Sequence, residues 1–348
     1  MGVVLDINTF NQYLKELSEE YRIYAPALKK GKGKYAETDI VSYTEIMCLE
    51  EIELKQKSYF SPKEILFPIR ETLFYFKGES AEVPSIDEKP AIIFARPCDL
   101  NGIRRLDTIF LKNGNSPDFY YKCRKDLVKF IMIECTESFD TCFCVSMKSN
   151  EYNEYEAAVA FKDNHLYMKI VDPALETPTV KASRVIDFEP AFINSNDVSV
   201  SIPPVEKVTK DIFNHEIWKE YTSRCIACGR CNTSCITCSC FTMQDVKLSD
   251  NKEISERRRV WAGCHINGFS DMAGGHTFRE KNGERMRFKT MHKINDYYIR
   301  FDEHMCVGCG RCDDVCPEYI SFSKCINKLN MIIEEDAVRE KCLSVKTI

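Results

Sequence analysis

The chain has 348 residues, of which 44% are hydrophobic and 29% are charged, and its formal net charge is −5. This composition is typical of a folded globular protein of about two domains, and the acidic balance argues against a general affinity for nucleic acid. No apolar run approaches the roughly 20 residues that span a bilayer, and no signal peptide opens the sequence. A cytoplasmic protein without a membrane partner is therefore expected.

Hydrophobic periodicity predicts several elements in the first part of the chain. Apolar residues at helical spacing run from Phe10 to Tyr21. Residues 91–95 and 129–134 have the composition of strands on either side of a helix at 101–110. Such a strand-helix-strand unit is most often parallel and right-handed. Residues 159–171 alternate between apolar and polar, which predicts a hairpin.

Cysteine is the unusual component, with 19 residues in the chain. A protein that is not exported lives among reductants, so a dense framework of disulfides is not expected. Metal ligation explains the abundance better, and the spacing of the cysteines then indicates which metal group is bound.

Two cysteine runs repeat the same spacing, in which two, two and then three residues intervene: Cys225, Cys228, Cys231 and Cys235, and Cys306, Cys309, Cys312 and Cys316. This is the spacing of bacterial ferredoxins, where three cysteines wrap one cluster and the fourth reaches the other cluster. Gly229, Gly308 and Gly310 can supply the positive φ angles that such loops need. The predicted ligand sets therefore cross, with Cys225, Cys228, Cys231 and Cys316 for one 4Fe-4S cluster and Cys306, Cys309, Cys312 and Cys235 for the second.

Zinc is the alternative for these cysteines, because two Cys-x-x-Cys pairs can form a zinc ribbon. A zinc ribbon, however, needs four cysteines in two pairs. It does not require two complete runs of four with a proline, Pro317, after the last one. Iron-sulfur ligation is therefore favoured strongly over zinc.

A third group of cysteines lies in the N-terminal part: Cys98, Cys135, Cys142 and Cys144. Cys98 follows one predicted strand and Cys135 ends the other, so parallel strands would bring both to the same edge of the sheet, where α/β sites form. Cys142 and Cys144 lie on the loop that leaves Cys135. A third cluster and a set of half-buried thiols are equally compatible with this spacing, and zinc is a lesser possibility.

Three further cysteines, Cys238, Cys240 and Cys264, are one short of a normal site, and packing thiols are favoured there. Of the six histidines, His265 is the best candidate for a role at a metal site, because it adjoins Cys264. The basic residues between Arg279 and Lys293 are interpreted first as a solvated face. In a second interpretation, these cations offset the negative charge of thiolate-ligated clusters or dock a partner.

The jump in cysteine density after Pro203-Pro204 suggests a domain boundary. We predict an α+β protein with an N-terminal mixed α/β domain at 1–204, which holds the possible third cluster. A C-terminal helical domain at 205–348, similar to dicluster ferredoxins, would hold the two 4Fe-4S clusters. No Gly-x-Gly-x-x-Gly follows a predicted strand and no Walker-type loop is present, so the chain is expected to bind no flavin or nucleotide of its own.

These motifs together resemble the A-type subunit of anaerobic sulfite reductases and, more distantly, the β subunit of soluble sulfhydrogenases. The resemblance covers nearly the whole chain and rests on Glu20 to Pro26, Arg96-Pro97-Cys98-Asp99, Asp140-Thr141-Cys142-Phe143-Cys144, Cys225 to Phe241, Trp261-Ala262-Gly263-Cys264, Ala273-Gly274-Gly275-His276 and Cys306 to Pro317. The ferredoxin runs occur in many families, whereas the other motifs are much narrower.

The resemblance implies an iron-sulfur electron-transfer subunit of a cytoplasmic, anaerobic sulfite-reducing complex. In that family a separate flavin subunit oxidises NADH and a separate sirohaem subunit reduces sulfite to sulfide. The resemblance also favours the third cluster over packing thiols. The chain itself would then be a non-catalytic subunit of an oxidoreductase complex.

The sequence leaves three alternatives to this role. The chain could serve a sulfhydrogenase as its electron-transfer β subunit. It could be a catalyst in its own right, with an open-coordinated cluster. It could also be a zinc-stapled interaction module, which would be colourless where an iron-sulfur protein is brown.

Overall fold

A computed structural model of the chain describes residues 2–33, 35, 37–86, 89–248 and 254–345, with side chains up to residue 336. The contacts group the chain into two compact units. The first consists of Met1–Phe139, Asn150–Asn194 and Phe241–Trp261, and the second of Asp140–Ser149, Ser195–Cys240 and Ala262–Ile348. Each unit thus combines segments that are far apart in sequence, and the domains expected at 1–204 and 205–348 stay a prediction.

The strands that the structure describes lie in the first unit: β1 (Gly2–Asp6), β2 (Arg22–Lys29), β3 (Ile40–Glu45), β4 (Arg70–Lys77), β5 (Ser80–Glu82), β6 (Ala91–Ala95), β7 (Val128–Ile133), β8 (Ala157–Lys162), β9 (His165–Ile170), β10 (Arg184–Ile186), β11 (Phe241–Lys247) and β12 (Ile254–Trp261). Its helices are α1 (Ile7–Glu20), α2 (Lys63–Leu66), α3 (Pro97–Asp107), α4 (Phe119–Asp126) and α5 (Pro178–Lys181). The strands form an eight-stranded sheet of order β10-β1-β9-β8-β7-β6-β2-β3 and a four-stranded sheet of order β11-β12-β4-β5.

The centre of the large sheet is parallel, as the strand-helix-strand pattern predicts. Strands β2, β6, β7 and β8 run in the same direction, and Ala91 on β6 lies opposite Val128 on β7. Every residue of β6 is buried, which is typical of a parallel strand that is covered on both faces. The helix predicted at 101–110 begins earlier, at Pro97, because proline fits the first turn of a helix.

Local chemistry sets the ends of the other predicted elements in this unit. Helix α1 begins after Asp6, whose carboxylate accepts a hydrogen bond of 2.7 Å from the backbone N–H of Thr9. The predicted hairpin is the antiparallel pair β8 and β9. Its turn residues, Asp163 and Asn164, both have positive φ angles, which suit a tight hairpin turn.

The second unit is helical in the part of the chain that the structure describes. Its helices are α6 (Ile217–Arg224), α7 (Arg230–Thr233), α8 (Asn282–Met291), α9 (Tyr297–Phe301), α10 (Arg311–Asp314) and α11 (Phe322–Val345). A single π-helical turn at His292–Asp296 joins α8 to α9. Trp218, Tyr221, Met291, Ile294 and Leu329 belong to the buried core of this unit, against which cysteines of both runs pack.

The fold class is a mixture of helices with two sheets, in agreement with the mixed α/β part of the prediction. Among the described residues, no helix combines the length and the apolar character that crossing a membrane requires.

Candidate metal centres

The first cysteine run follows helix α6, whose last turn is capped by Cys225. The chain then turns tightly, with a φ of +55° at Ala227 and +74° at Gly229, and α7 begins after that glycine. The backbone N–H of Ala227 donates a hydrogen bond to the Cys225 sulfur at 3.4 Å. The loop therefore turns backbone amides toward sulfur, which would stabilise negative charge there.

The second run repeats this geometry. Gly308 and Gly310 have φ angles of +62° and +69°, and α10 begins after Gly310. The N–H of Gly308 donates to the Cys306 sulfur at 3.4 Å, as Ala227 does in the first run. The predicted positive φ angles of Gly229, Gly308 and Gly310 are thus present.

A cavity lies against the first run, with an empty volume of about 500 Å³ that includes space open to solvent. Residues of both runs contribute sulfur to its wall, namely Cys225, Cys228, Cys231, Cys312 and Cys316. Met286, Ile320 and Phe322 supply apolar surface, and the lining also contains His265, Lys289 and Glu318. Cys316, the last cysteine of the second run, thus lines the cavity of the first.

A second cavity of about 340 Å³ lies against the other run. Its sulfur-bearing residues are Cys235, Cys306, Cys309 and Cys312. Phe143 and Phe322 cover it with aromatic surface, and Lys289 and Lys293 also line it. Cys235, the last cysteine of the first run, therefore lines the cavity of the second run.

The donor sets suit 4Fe-4S clusters, which cysteine thiolates hold in sets of four. Each cavity offers at least four cysteines with an apolar wall, and backbone amides donate to sulfur in both. The first cavity also contains a buried polar atom, His265 Nε2, that has no hydrogen-bond partner among the described residues. Within the described part of the chain, no group of three or more His, Cys, Asp or Glu side chains could hold a single metal ion. The assignment of individual ligands stays a prediction.

Electrostatics differ between the cysteines of the second cavity. Burial raises the pKa of the Cys306 thiol to about 12. At Cys235 a hydrogen bond from Cys238 and the charge of Lys293 hold the pKa well below its usual value, although burial opposes them. Both influences stabilise the thiolate form of Cys235.

Two lysines of the basic segment 279–293 line the cavity walls. Lys289 and Lys293 are each 3% exposed, and Arg285 in the same helical segment is 5% exposed. The interpretation of residues 279–293 as a solvated face is therefore wrong for these three side chains, whereas Lys281 is exposed. The available signal was periodicity: Lys289 and Lys293 occupy the same helical stripe as the buried apolar residues Met286 and Ile294.

The predicted third group of cysteines is divided between the two units. Cys98 lies in the first turn of α3, and Cys135 follows β7 in the same unit. Cys142 and Cys144 belong to the second unit, where their sulfurs lie 3.7 Å from the carbonyl oxygen of Cys309 and 3.6 Å from Asn196 Oδ1. A third cluster on these four residues stays a prediction.

Two cysteines of the second unit that lie outside the runs, Cys238 and Cys264, contact the same side chain. The side-chain amide of Asn232 donates to the sulfurs of Cys238 and Cys264, at 3.6 and 3.4 Å. Burial raises the pKa of Cys264 to about 11, which favours a neutral thiol. Burial also lowers the pKa of His265 to about 3, and its Nδ1 atom lies 3.8 Å from the Cys225 sulfur. A neutral, buried imidazole thus adjoins the first run.

Comparison with known proteins agrees with this geometry. Residues 224–320, which contain both cysteine runs, match the protein family described as 4Fe-4S dicluster domain. The site and this match define the class of the protein: it is an iron-sulfur protein. Over 340 residues the chain is 25% identical to sulfhydrogenase 2 subunit beta of Pyrococcus furiosus, and the alignment covers 94% of this chain and 98% of that protein.

Proposed function

We propose that this chain is the electron-transfer subunit of a multi-subunit oxidoreductase. The observation that carries the proposal is the pair of cavities, because the first three cysteines of each run line a cavity that the last cysteine of the other run also lines. Cys312 lines both cavities. Clusters bound there would accept and release single electrons. The chain would contribute the sulfur ligands, the amides that donate to sulfur and the aromatic cover of Phe143 and Phe322.

The complex that we favour is a cytoplasmic, anaerobic sulfite reductase. A subunit that binds flavin would oxidise NADH and separate its hydride into single electrons, since a one-electron carrier cannot accept a hydride directly. This chain would pass the electrons to a sirohaem subunit, where sulfite is reduced to sulfide. The motifs around Cys98, Cys142 and Cys264, which resemble those of the A-type subunit of anaerobic sulfite reductases, support this choice.

The second candidate is service as the β subunit of a soluble sulfhydrogenase. Its support is the similarity to sulfhydrogenase 2 subunit beta, which extends over 94% of the chain. Both candidates assign the same role to this chain. They differ in the partner that accepts or supplies the electrons.

Reconstitution separates the candidates. The flavin and sirohaem subunits are mixed with NADH and sulfite, and this chain is then added under anaerobic conditions. We expect sulfide to form only after the addition. Full sulfide production before the addition would exclude the conduit role, and sulfide production by this chain alone with an artificial reductant would make it the catalyst. If NADH oxidation instead requires this chain with a hydrogenase subunit, the sulfhydrogenase role is correct.

A further inference from the structure

We propose that Lys289 and Lys293 are buried counter-charges that set the reduction potentials of the two candidate cluster sites to different extents. Lys289 would act on both sites, and Lys293 would act mainly on the site of the second run. The inference rests on the proposed function, because it requires that the cysteines hold clusters. It assigns a task to two residues that are not themselves predicted ligands.

The two lysines differ in the cavities that they line. Lys289 lines both cavities, whereas Lys293 lines only the cavity that contains Cys235 and Cys306. The two lysines are four residues apart, across the point where α8 meets the π-helical turn, so both face the same side of this helical segment. One helix face thus presents two ammonium groups to the cysteine runs.

A carboxylate, that of Glu318, lines the first cavity together with Lys289, but this residue is exposed to solvent. Lys293 Nζ donates to the hydroxyl of Thr237 at 2.8 Å, and Lys289 Nζ lies 5.2 Å from the centre of the Phe322 ring. Among the ion pairs of the described residues, none includes either lysine. A buried charge is costly unless an opposite charge lies near it, and the cysteine sulfurs are the candidates on this helix face.

The two lysine charges would affect how easily each site is reduced. In each redox step one electron enters a site from an external donor and later leaves to an acceptor, so the site gains and then loses one negative charge. A fixed positive charge in a medium of low dielectric constant stabilises the more negative, reduced state. Nearby charge is one of the factors that set the potential of an iron-sulfur site. Removal of a lysine charge should therefore make the adjacent site harder to reduce.

The test is a redox titration of the full-length protein, purified anaerobically and followed by electron paramagnetic resonance. Cys228→Ser and Cys309→Ser assign the signals of the first and second sites. We expect Lys293→Met to decrease the ratio of reduced to oxidised second site at least tenfold at a fixed potential, which is about 59 mV for one electron. The ratio at the first site should change less than threefold. Lys289→Met should decrease the ratio at both sites.

Two sets of controls keep the test decisive. Lys324→Met removes an exposed charge near the start of α11, two residues after Phe322, and should leave both potentials unchanged. Lys289→Arg and Lys293→Arg retain the charge and should keep the wild-type potentials. If the methionine variants lose iron, Lys→Gln variants are titrated in their place, and iron loss in all neutral variants but not in the arginine variants also supports a charge requirement.

Three results would overturn the inference. The first is unchanged potentials in neutral variants that retain their iron. The second is a larger effect of Lys293→Met on the first site than on the second. The third is iron loss in the arginine variants as well, which would indicate a steric role. Absence of iron and sulfide in the wild-type protein would instead refute the proposed function itself, so the two failures are distinguishable.

Discussion

The backbone N–H of Phe143 donates a hydrogen bond of 2.8 Å to the carbonyl oxygen of Gly308, in the loop of the second cysteine run. Neighbouring bonds continue this contact: the hydroxyl of Thr141 donates to the Gly310 carbonyl at 3.2 Å, and that of Ser149 to the Val307 carbonyl at 2.6 Å. The segment Asp140–Ser149 therefore lies along the second loop and satisfies its carbonyl groups. This contact makes the two loops unequal, although their sequences repeat.

The first prediction concerns the difference between the loops of the two cysteine runs. Gly310→Ala should destabilise the second loop, because Gly310 has a φ of +69° and a methyl group would lie 2.2 Å from the Thr141 carbonyl oxygen. Positive φ in a residue other than glycine costs about 1–3 kcal/mol, and the clash adds to this cost. We expect loss of the second site's paramagnetic signal and a lower midpoint of thermal unfolding.

Gly229→Ala is the matched control, since Gly229 occupies the equivalent position of the first loop. Its φ is +74°, but a methyl group there would meet only the flexible side chain of Ile266, at 2.9 Å. The loss of stability should be smaller, and the first site should retain its iron. An equal or larger effect of Gly229→Ala would contradict the role given to the Asp140–Ser149 contact.

The second prediction tests the crossed ligation. Cys316→Ser should abolish the same paramagnetic signal as Cys228→Ser, and Cys235→Ser should abolish the same signal as Cys309→Ser. Each variant should lose about four iron atoms per chain. Cys325→Ala, a change at a buried thiol in the core of the second unit, should leave both signals intact. Pairing of Cys316 with Cys309 would show that each run serves its own cluster.

The third prediction concerns the number of clusters. If Cys98, Cys135, Cys142 and Cys144 hold a third cluster, the protein contains about 12 iron atoms and about 12 sulfides, rather than about 8 of each. Cys98→Ser and Cys142→Ser should then remove the same signal and leave the other two. An anaerobic preparation that saturates near eight iron atoms would identify these residues as packing thiols.

The fourth prediction concerns stability of the first unit. Arg259 is 2% exposed. Its guanidinium lies 2.6 Å from the Glu71 carboxylate and 2.5 Å from that of Asp118. Arg259→Met should reduce the free energy of unfolding by at most about 3–5 kcal/mol, because it removes one partner of a buried ion pair while Arg124 stays in contact with Glu71. Urea unfolding followed by circular dichroism measures this loss.

Arg257→Met supplies the comparison on the same strand, β12. Arg257 forms an exposed ion pair with Asp245, at 2.7 Å. Pairs of this kind contribute little because water and salt screen them, so the free energy of unfolding should barely change. If both variants unfold at the same urea concentration as the wild type, the buried pair does not stabilise the unit.

The sequence by itself determined the features whose causes are local. The spacing of the cysteine runs indicated the metal group, and the glycines indicated where the loops turn. Strand β6, the β8–β9 hairpin and helix α1 were predictable because their hydrophobic periods and turn residues lie within a few residues of one another. The match of residues 224–320 to a 4Fe-4S dicluster domain agrees with the interpretation of both runs.

Only the tertiary structure decided which distant segments meet. It paired β12 with β4 and grouped Phe241–Trp261 with the first unit. It also buried Lys289 and Lys293 against cysteines, whereas the charge pattern alone left a solvated face and compensation of cluster charge both open. The physical reason is that backbone pairing and compensation of buried charge depend on groups brought together by the fold, which local periodicity does not record.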